Sequence, residues 1–204
     1  MTQPKAKPQA KLTAADYMAM TPPEPPYPRY QLIEGKLFRL PTPHEPHQAV
    51  VGDWLIAMAP PANALGIGQV IVSPLDVTLN DFNVFQPDLL YVSNGREHIF
   101  DGHGVTGAPD VVVEILSDPT RRRYLKMKLP IYRKSGVREI WAMDLEAESV
   151  TVHPGDSATP TTGNVFTVDT VLTSHAMPGV AIELRTIFAR ARKTIAELFD
   201  ISVL

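Results

Sequence analysis

Two acidic residues interrupt apolar segments that have the pattern of buried β-strands. Glu114 lies inside Val111–Leu116, and Asp88 lies near the start of residues 87–92. In an alternating strand each acid shares its face with apolar side chains. Burial removes hydration from a charged carboxylate, so such an acid needs an ion pair or a bound cation. Two such strands can converge on a hard divalent cation such as Mg²⁺, whereas each acid alone is equally compatible with a structural ion pair or a solvated strand end.

A basic segment follows the second acid. Residues 121–134 contain seven Lys and Arg residues and no acid. Helical spacing places Arg121, Leu125, Lys128 and Tyr132 on one stripe, so Lys128 can face the sheet although such a run is usually a solvated face. A lysine beside a metal-bound water and a phosphate can orient the nucleophile, and arginines suit bidentate phosphate contacts. Pro130 would weaken this helix.

The elements that must position these side chains follow from the periodicity of the chain. Helices are predicted at Ala14–Met20, at His47–Met58 with an end at Pro60-Pro61, near Arg121–Lys134, and at Phe188–Phe199 as a closing helix. A hairpin is predicted around Gly35, and strands at Gln69–Ser73, Asp76–Leu79, Phe85–Val92, Val111–Leu116 and Glu139–Asp144, with Val150–His153 pairing with Val165–Val168. This order predicts an α/β or α+β fold, a single sheet with helices on its faces.

Composition limits the classes of function. The chain has 204 residues, of which 44% are hydrophobic and 20% charged, and it has no cysteine. Thiolate metal sites and cysteine nucleophiles are therefore excluded. Residues 1–11 form a predicted disordered tail and residues 12–204 a single domain. No membrane span or secretory segment is found, so a cytoplasmic location is expected.

The formal net charge of −3 argues at first against nucleic-acid binding. Outside residues 121–134, however, the chain holds 12 basic against 22 acidic residues. The charge is therefore polarised along the chain, and any nucleic acid is expected to meet the basic helix.

Between Leu12 and Phe188 the chain resembles the Uma-type family of restriction endonucleases, often classed as a domain of unknown function. The resemblance is carried by Tyr30-Gln31-Leu32-Ile33-Glu34-Gly35, His47, Pro87-Asp88-Leu89, residues 108–117, Thr120 to Arg123, Lys128, Tyr132, Gly136-Val137 and Glu139-Ile140-Trp141. It implies a restriction-endonuclease-like fold of the PD-(D/E)xK superfamily, a mixed β-sheet flanked by helices. Such proteins hydrolyse phosphodiester bonds with Mg²⁺ or Mn²⁺.

The resemblance also assigns roles to individual residues. Asp88 and Glu114 would be the metal ligands. The superfamily lysine two residues after the second acid is replaced by Leu116, and Lys128 would be its migrated substitute. Glu34 and His47 match family positions that border the site, Glu34 as a catalytic residue and His47 as a phosphate contact. His47 is equally compatible with local capping or packing at the start of its helix. Tyr124 stands where family members commonly have Asp.

The leading hypothesis is therefore a metal-dependent endonuclease acting on DNA, with Arg121, Arg122 and Arg123 on backbone phosphates. The alternative is a weak or inactive nuclease-fold module for nucleic-acid binding or protein assembly, which Tyr124 and Leu116 motivate. A weaker reading is a hydrolase of another phosphate ester.

The second Pro-Asp pair, at Asp110, is a poorer ligand because it would lie about 13 Å from Glu114 along one strand. A homodimer is expected, since two-fold pairs are the commonest oligomers.

Overall fold

The computed structural model describes residues 11–20, 29–40, 42, 45–116, 119–156 and 163–189. Three α-helices are defined within these ranges: α1 (Ala14–Met18), α2 (Glu45–Leu65) and α3 (Pro119–Ser135). The strands are β1 (Tyr30–Ile33), β2 (Lys36–Arg39), β3 (Gly68–Val72), β4 (Val77–Asn80), β5 (Asn83–Phe85), β6 (Leu89–Ser93), β7 (Val105–Thr106), β8 (Val111–Leu116), β9 (Glu139–Asp144), β10 (Ser149–Pro154), β11 (Asn164–Thr167), β12 (Val171–Thr173) and β13 (Ala181–Glu183). A 3₁₀ segment spans Asn94–Ile99, and residues 184–189 are helical.

The largest sheet has six strands in the order β11-β10-β9-β8-β6-β3. Strands β8 and β9 are parallel, and the other neighbours are antiparallel. All six residues of β8 are buried, as expected for a central strand covered on both faces. The mixed sheet with helices on its faces confirms the predicted fold class. The prediction of a single sheet was wrong, because β1, β2, β4, β5 and β7 form a second sheet and β12 and β13 a third.

The two faces of this sheet have separate cores. Alternation along β8 sends Val111, Val113 and Ile115 towards α2, and Val112 and Leu116 towards α3. Glu114 belongs to the second set by the same alternation. The acid is therefore presented to the helix that carries the basic segment.

A second sheet, in the order β2-β1-β5-β4-β7, packs beside the α3 face. Strands β1 and β2 form the predicted hairpin, with Ile33 opposite Lys36. The two turn residues, Glu34 and Gly35, both have positive φ, at 50° and 76°. This is the conformation that a tight two-residue hairpin turn requires.

The predicted strand Phe85–Val92 was wrong as a single element. Residues up to Phe85 belong to the second, five-stranded sheet, and residues from Leu89 belong to the six-stranded sheet. Pro87 lies between them and has no N–H to donate to a strand ladder. Asp88 therefore occupies the crossing between the two sheets rather than the middle of a strand.

The predicted end of α2 at Pro60-Pro61 was also wrong. The helix begins at Glu45 and continues to Leu65. Two prolines remove two backbone donors, yet the apolar face persists, because Met58 and Ala62 are fully buried against the larger sheet. Packing of this face outweighs the local preference of proline.

The two chain ends are only partly described. Lys11, assigned above to a disordered tail, has its amine 5.7 Å from the centre of the Phe82 ring, and residues 1–10 lie outside the described residues. The predicted closing helix is helical as far as residue 189, and its remainder also lies outside them. No helix in the described ranges combines the length and apolar character needed to cross a membrane.

Candidate active site

Asp88 and Glu114 lie at the same end of the paired strands β6 and β8. Leu89 is opposite Val113, and Asp88 directly precedes Leu89 while Glu114 directly follows Val113. The backbone N–H of Asp88 donates to the Val113 carbonyl, and Ile115 N–H donates to Asp88 Oδ2 at 2.8 Å. The two acids are therefore neighbours at one end of this strand pair.

Glu114 binds two side chains of α3 through one oxygen. Lys128 Nζ donates to Glu114 Oε1 at 2.8 Å, and the Tyr132 hydroxyl donates to the same atom at 2.6 Å. Lys128 and Tyr132 are one helical turn apart and so lie on the same side of α3. Lys128 is only 3% exposed, which places it on the face towards the sheet rather than in solvent.

An aromatic ring packs against the Lys128–Glu114 ion pair. The Phe85 ring lies 5.5 Å from Lys128 Nζ and meets the Tyr132 ring edge-on, with centroids 5.2 Å apart. Burial, followed by the negative charge of Glu114, raises the pKa of Tyr132 well above its ordinary value. The charge of Asp88 contributes to the same pKa shift. Tyr132 is therefore a neutral hydrogen-bond donor between the two acids.

His47 approaches Asp88 from α2. Its Nε2 atom lies 3.2 Å from Asp88 Oδ1, and the side chain is buried. The distance fits an ion pair, but neither ring nitrogen has a hydrogen bond of good geometry among the described residues. His47 therefore borders the acids and keeps hydrogen-bonding capacity.

Gln31, on β1 of the second sheet, is a buried polar residue that was not among the predicted site residues. It is fully buried on β1, and neither atom of its carboxamide has a hydrogen-bond partner within the described part of the chain. A buried polar group without a partner costs about 1–3 kcal/mol. The only signal in the sequence is a glutamine two residues before Ile33, at a position where the hairpin pattern calls for an apolar side chain.

The other predicted site residues lie outside this cluster. Glu34 is exposed at the hairpin turn, its N–H bonded to Asn83, and no described contact joins it to Asp88 or Glu114. Arg122 is paired: two of its nitrogens donate to Asp144, each at 2.9 Å, and one also donates to Glu146. Arg123 is exposed, and the side chain of Arg121 lies outside the described residues.

Two other buried acids are held by structural partners. Asp110 is fully buried and pairs with Arg96 and Arg138 at 3.0 and 3.1 Å. Glu139 accepts hydrogen bonds from Trp141 and from residues 174–176. Asp110 and Glu139 therefore hold loops, and Asp88 and Glu114 are the other two buried acids among the described residues.

The cluster of Asp88, Glu114 and Lys128 is named here the carboxylate–lysine site. It fits a hard cation such as Mg²⁺, which needs one or two protein carboxylates and keeps several waters. Both described bonds to Glu114 go to Oε1, so Oε2 is the oxygen that a cation would use. The described residues hold no group of three His, Cys, Asp or Glu side chains arranged as a metal cage.

The mixed sheet flanked by helices places the chain among proteins with a restriction-endonuclease-like fold. The family described as "Uma2: Putative restriction endonuclease" matches residues 14–185, and the chain belongs to this family. The fold is similar to the crystal structure of a "putative nuclease belonging to DUF820" from Anabaena variabilis, with 20% sequence identity and a TM-score of 0.73 over 88% of this chain and 99% of that chain. A comparison with curated proteins gives no match.

Proposed function

We propose that this protein is a metal-dependent endonuclease that hydrolyses phosphodiester bonds of DNA. The observation that carries the proposal is that Asp88 and Glu114 are neighbours at one end of the β6–β8 pair, where Ile115 N–H bonds Asp88 and Lys128 bonds Glu114. Membership of a family of restriction endonucleases supports the reaction class. The further assignments, a divalent metal and DNA as substrate, rest on the chemistry of this site.

In this proposal Asp88 and Glu114 hold Mg²⁺ or Mn²⁺, which supplies Lewis-acid polarisation of the phosphate and a more acidic water. The backbone N–H of Ile115 fixes one Asp88 oxygen, which leaves Oδ1 turned towards His47. Tyr132 fixes the Glu114 carboxylate. These contacts preorganise both acids before substrate arrives, which is where such sites gain most of their rate.

Lys128 holds the attacking water in this scheme. Its amine is buried, bonded to Glu114 and adjacent to the Phe85 ring, so its position is restricted. An ammonium group can donate to the attacking water and to a phosphate oxygen in turn, because it has three donors and Glu114 occupies one. Lys128 thereby stabilises negative charge that develops on the phosphate.

The substrate's backbone is proposed to meet the exposed cations of α3. Arg123 is exposed, and Arg121 belongs to the same run. Arg122 contributes less in this proposal, because a phosphate would have to displace Asp144 and Glu146. His47 is proposed to donate to the phosphate at the buried end of the site. Glu34 has a catalytic role only if substrate bridges the hairpin turn and the acids.

The alternative function is a nuclease-fold module that binds nucleic acid or assembles with protein without cleavage. Leu116 stands where the superfamily has its lysine, and Lys128 and Tyr132 both bond the same oxygen of Glu114. A two-fold homodimer is part of either proposal, with the exposed edge strand β11 as a candidate interface. The proposed location is the cytoplasm, where a DNA substrate would be met.

The test is cleavage of linear, supercoiled and single-stranded DNA and of RNA, with Mg²⁺ or Mn²⁺. Wild type is compared with Asp88→Asn, Glu114→Gln and, as a matched control, Asp81→Asn, which alters an exposed acid. We expect both site variants to lose cleavage and the control to retain it. Equal cleavage by all four proteins would reject the site, and binding without any cleavage would favour the alternative. Light scattering of the same samples measures the oligomeric state.

A further inference from the structure

Gln31 lies next to the carboxylate–lysine site. Strands β1 and β5 are antiparallel with Leu32 opposite Val84, and one further step in this register places Gln31 opposite Phe85. Opposed residues share a face of the sheet. The Phe85 ring in turn contacts Lys128 and Tyr132. The unpartnered carboxamide is therefore one side chain away from the Lys128–Glu114 ion pair.

A purely structural role does not account for a glutamine at this position. Its neighbours on the face are Phe38, directly opposite on β2, together with Ile33 and Phe85, all apolar, and the Gln31 amide bonds to none of the described residues. A leucine or methionine would fill the same space without burying unpaired donors. An amide kept at this cost is suited to a partner that arrives with the substrate.

We propose that Gln31 is a substrate-contacting residue whose Nε2 donates to a non-bridging oxygen of the phosphodiester group. The inference rests on the proposed nuclease function and extends it. The two acids repel a phosphate, and Lys128 already has Glu114 as a partner. A neutral amide supplies two donors without adding another charge to a buried site. The residue therefore contributes to substrate binding and leaves metal binding to Asp88 and Glu114.

The test compares Gln31→Leu with wild type in three measurements. Binding of a fluorescent DNA oligonucleotide is measured by anisotropy with Ca²⁺ in place of Mg²⁺, metal affinity by calorimetry, and stability by thermal unfolding. We expect oligonucleotide binding to weaken about tenfold or more, with metal affinity unchanged and the melting temperature unchanged or raised. Gln31→Glu, which keeps the size but loses both donors, should weaken binding at least as much.

The matched control is Gln69→Leu, the same change at an exposed glutamine on strand β3, and it should alter none of the three quantities. If the branched leucine prevents folding, Gln31→Met keeps the unbranched shape. Binding equal to wild type would overturn the inference, whatever the melting temperature. A fall in metal affinity would also overturn it. If wild type neither binds nor cleaves any oligonucleotide, the proposed function fails and Gln31 fails with it.

Discussion

Glu114 accepts both of its described hydrogen bonds on one oxygen, from donors that differ in charge. Lys128 balances the carboxylate's charge, whereas Tyr132 supplies direction without charge, because its raised pKa keeps the hydroxyl protonated. A buried ion pair is weak evidence for stability, since desolvation offsets much of the attraction. The proposed nuclease function gives this pair, which lies beside a second acid, a role in chemistry.

Lys128→Met tests the lysine by removing its amine while keeping an unbranched chain. Breaking a buried pair by deleting one partner costs about 3–5 kcal/mol. We expect the free energy of unfolding, measured in urea, to fall by about that amount, and cleavage to be lost. Lys36→Met, at an exposed lysine of β2, is the control.

The double variant Glu114→Gln/Lys128→Met separates stability from chemistry. With no unpaired charge left in the core, most of the lost stability should return. Cleavage should stay absent. If the single variant Lys128→Met cleaves DNA at the wild-type rate, Lys128 has no role in the reaction.

Tyr132→Phe removes only a hydroxyl and preserves the edge-on contact with Phe85. A hydrogen bond to a charged group contributes about 1.5–3 kcal/mol, so the free energy of unfolding should fall within that range. We expect kcat to fall while KM changes little, because Glu114 loses its orientation. The basic limb of the pH–rate profile should be the same as in wild type. Disappearance of that limb would show that Tyr132 ionises in the working enzyme.

At the scale of elements, α3 contacts the larger sheet at two places. Lys128 and Tyr132 face the acids, and Arg122 binds Asp144 at the end of β9. Arg122 and Arg123 are sequence neighbours with different surroundings, since Arg122 is bonded to Asp144 and Arg123 is exposed. Two adjacent arginines therefore have separable roles.

Arg122→Gln and Arg123→Gln form a matched pair. We expect Arg122→Gln to lower the melting temperature, because it leaves Asp144 without its bidentate partner. Arg123→Gln should leave stability unchanged, weaken DNA binding and reduce the salt dependence of binding by about one unit of slope. Calorimetry and anisotropy titrations measure the two effects. The reverse assignment would mean that Arg122 releases Asp144 to bind phosphate.

Acid should weaken the attachment of α3 to β9. Arg122 holds the pKa of Asp144 below its ordinary value of 3.8. A carboxyl whose pKa is lowered by folding stabilises the protein above its unfolded pKa and loses that contribution as the pH falls through its folded pKa. The stability difference between wild type and Asp144→Asn should therefore be largest above pH 4 and shrink towards pH 2. Urea unfolding across this range checks it, and a constant difference would contradict it.

The sequence pattern correctly predicted those elements whose formation depends on residues close together in the chain. Strand β9 has the predicted bounds, and the hairpin at Gly35 follows from turn chemistry. The continuation of α2 beyond Pro61 depends on packing against a distant sheet, which overrides proline. The opposition of Gln31 and Phe85 depends on pairing between strands about 50 residues apart in the chain. The pair of acids could be predicted because a charge in an apolar strand is visible locally, whereas its neighbours are set by long-range register.

At the scale of the whole molecule, the basic surface is smaller than the basic segment. Of the seven cations in residues 121–134, Lys128 bonds Glu114, Arg122 bonds Asp144, and Arg133 bonds the carbonyl of Pro154. Three of the others are exposed on α3, namely Arg123, Lys126 and Lys134. The remainder of the chain has an excess of acids. We therefore expect long-range attraction to DNA to be weak and centred on α3.

This charge distribution predicts an unusual response of DNA binding to divalent ions. Three phosphate contacts give a slope of log K against log salt of about −2.7, so metal-free binding should be weak and only moderately sensitive to KCl. For a protein that binds through cations alone, divalent ions compete for the phosphates and weaken binding. For this protein Ca²⁺ should tighten DNA binding, because Asp88 and Glu114 repel the phosphate until a cation lies between the acids and the phosphate.

Anisotropy titrations of one duplex, with and without Ca²⁺ at constant ionic strength, measure this response. Asp88→Asn/Glu114→Gln should bind more tightly than wild type without metal and show no gain when Ca²⁺ is added, since the repulsion and the metal ligands are removed together. Asp81→Asn, which removes an exposed charge, should keep the gain. Weakening of wild-type binding by Ca²⁺ would mean that DNA contacts only the outer face of α3 and does not reach the two acids.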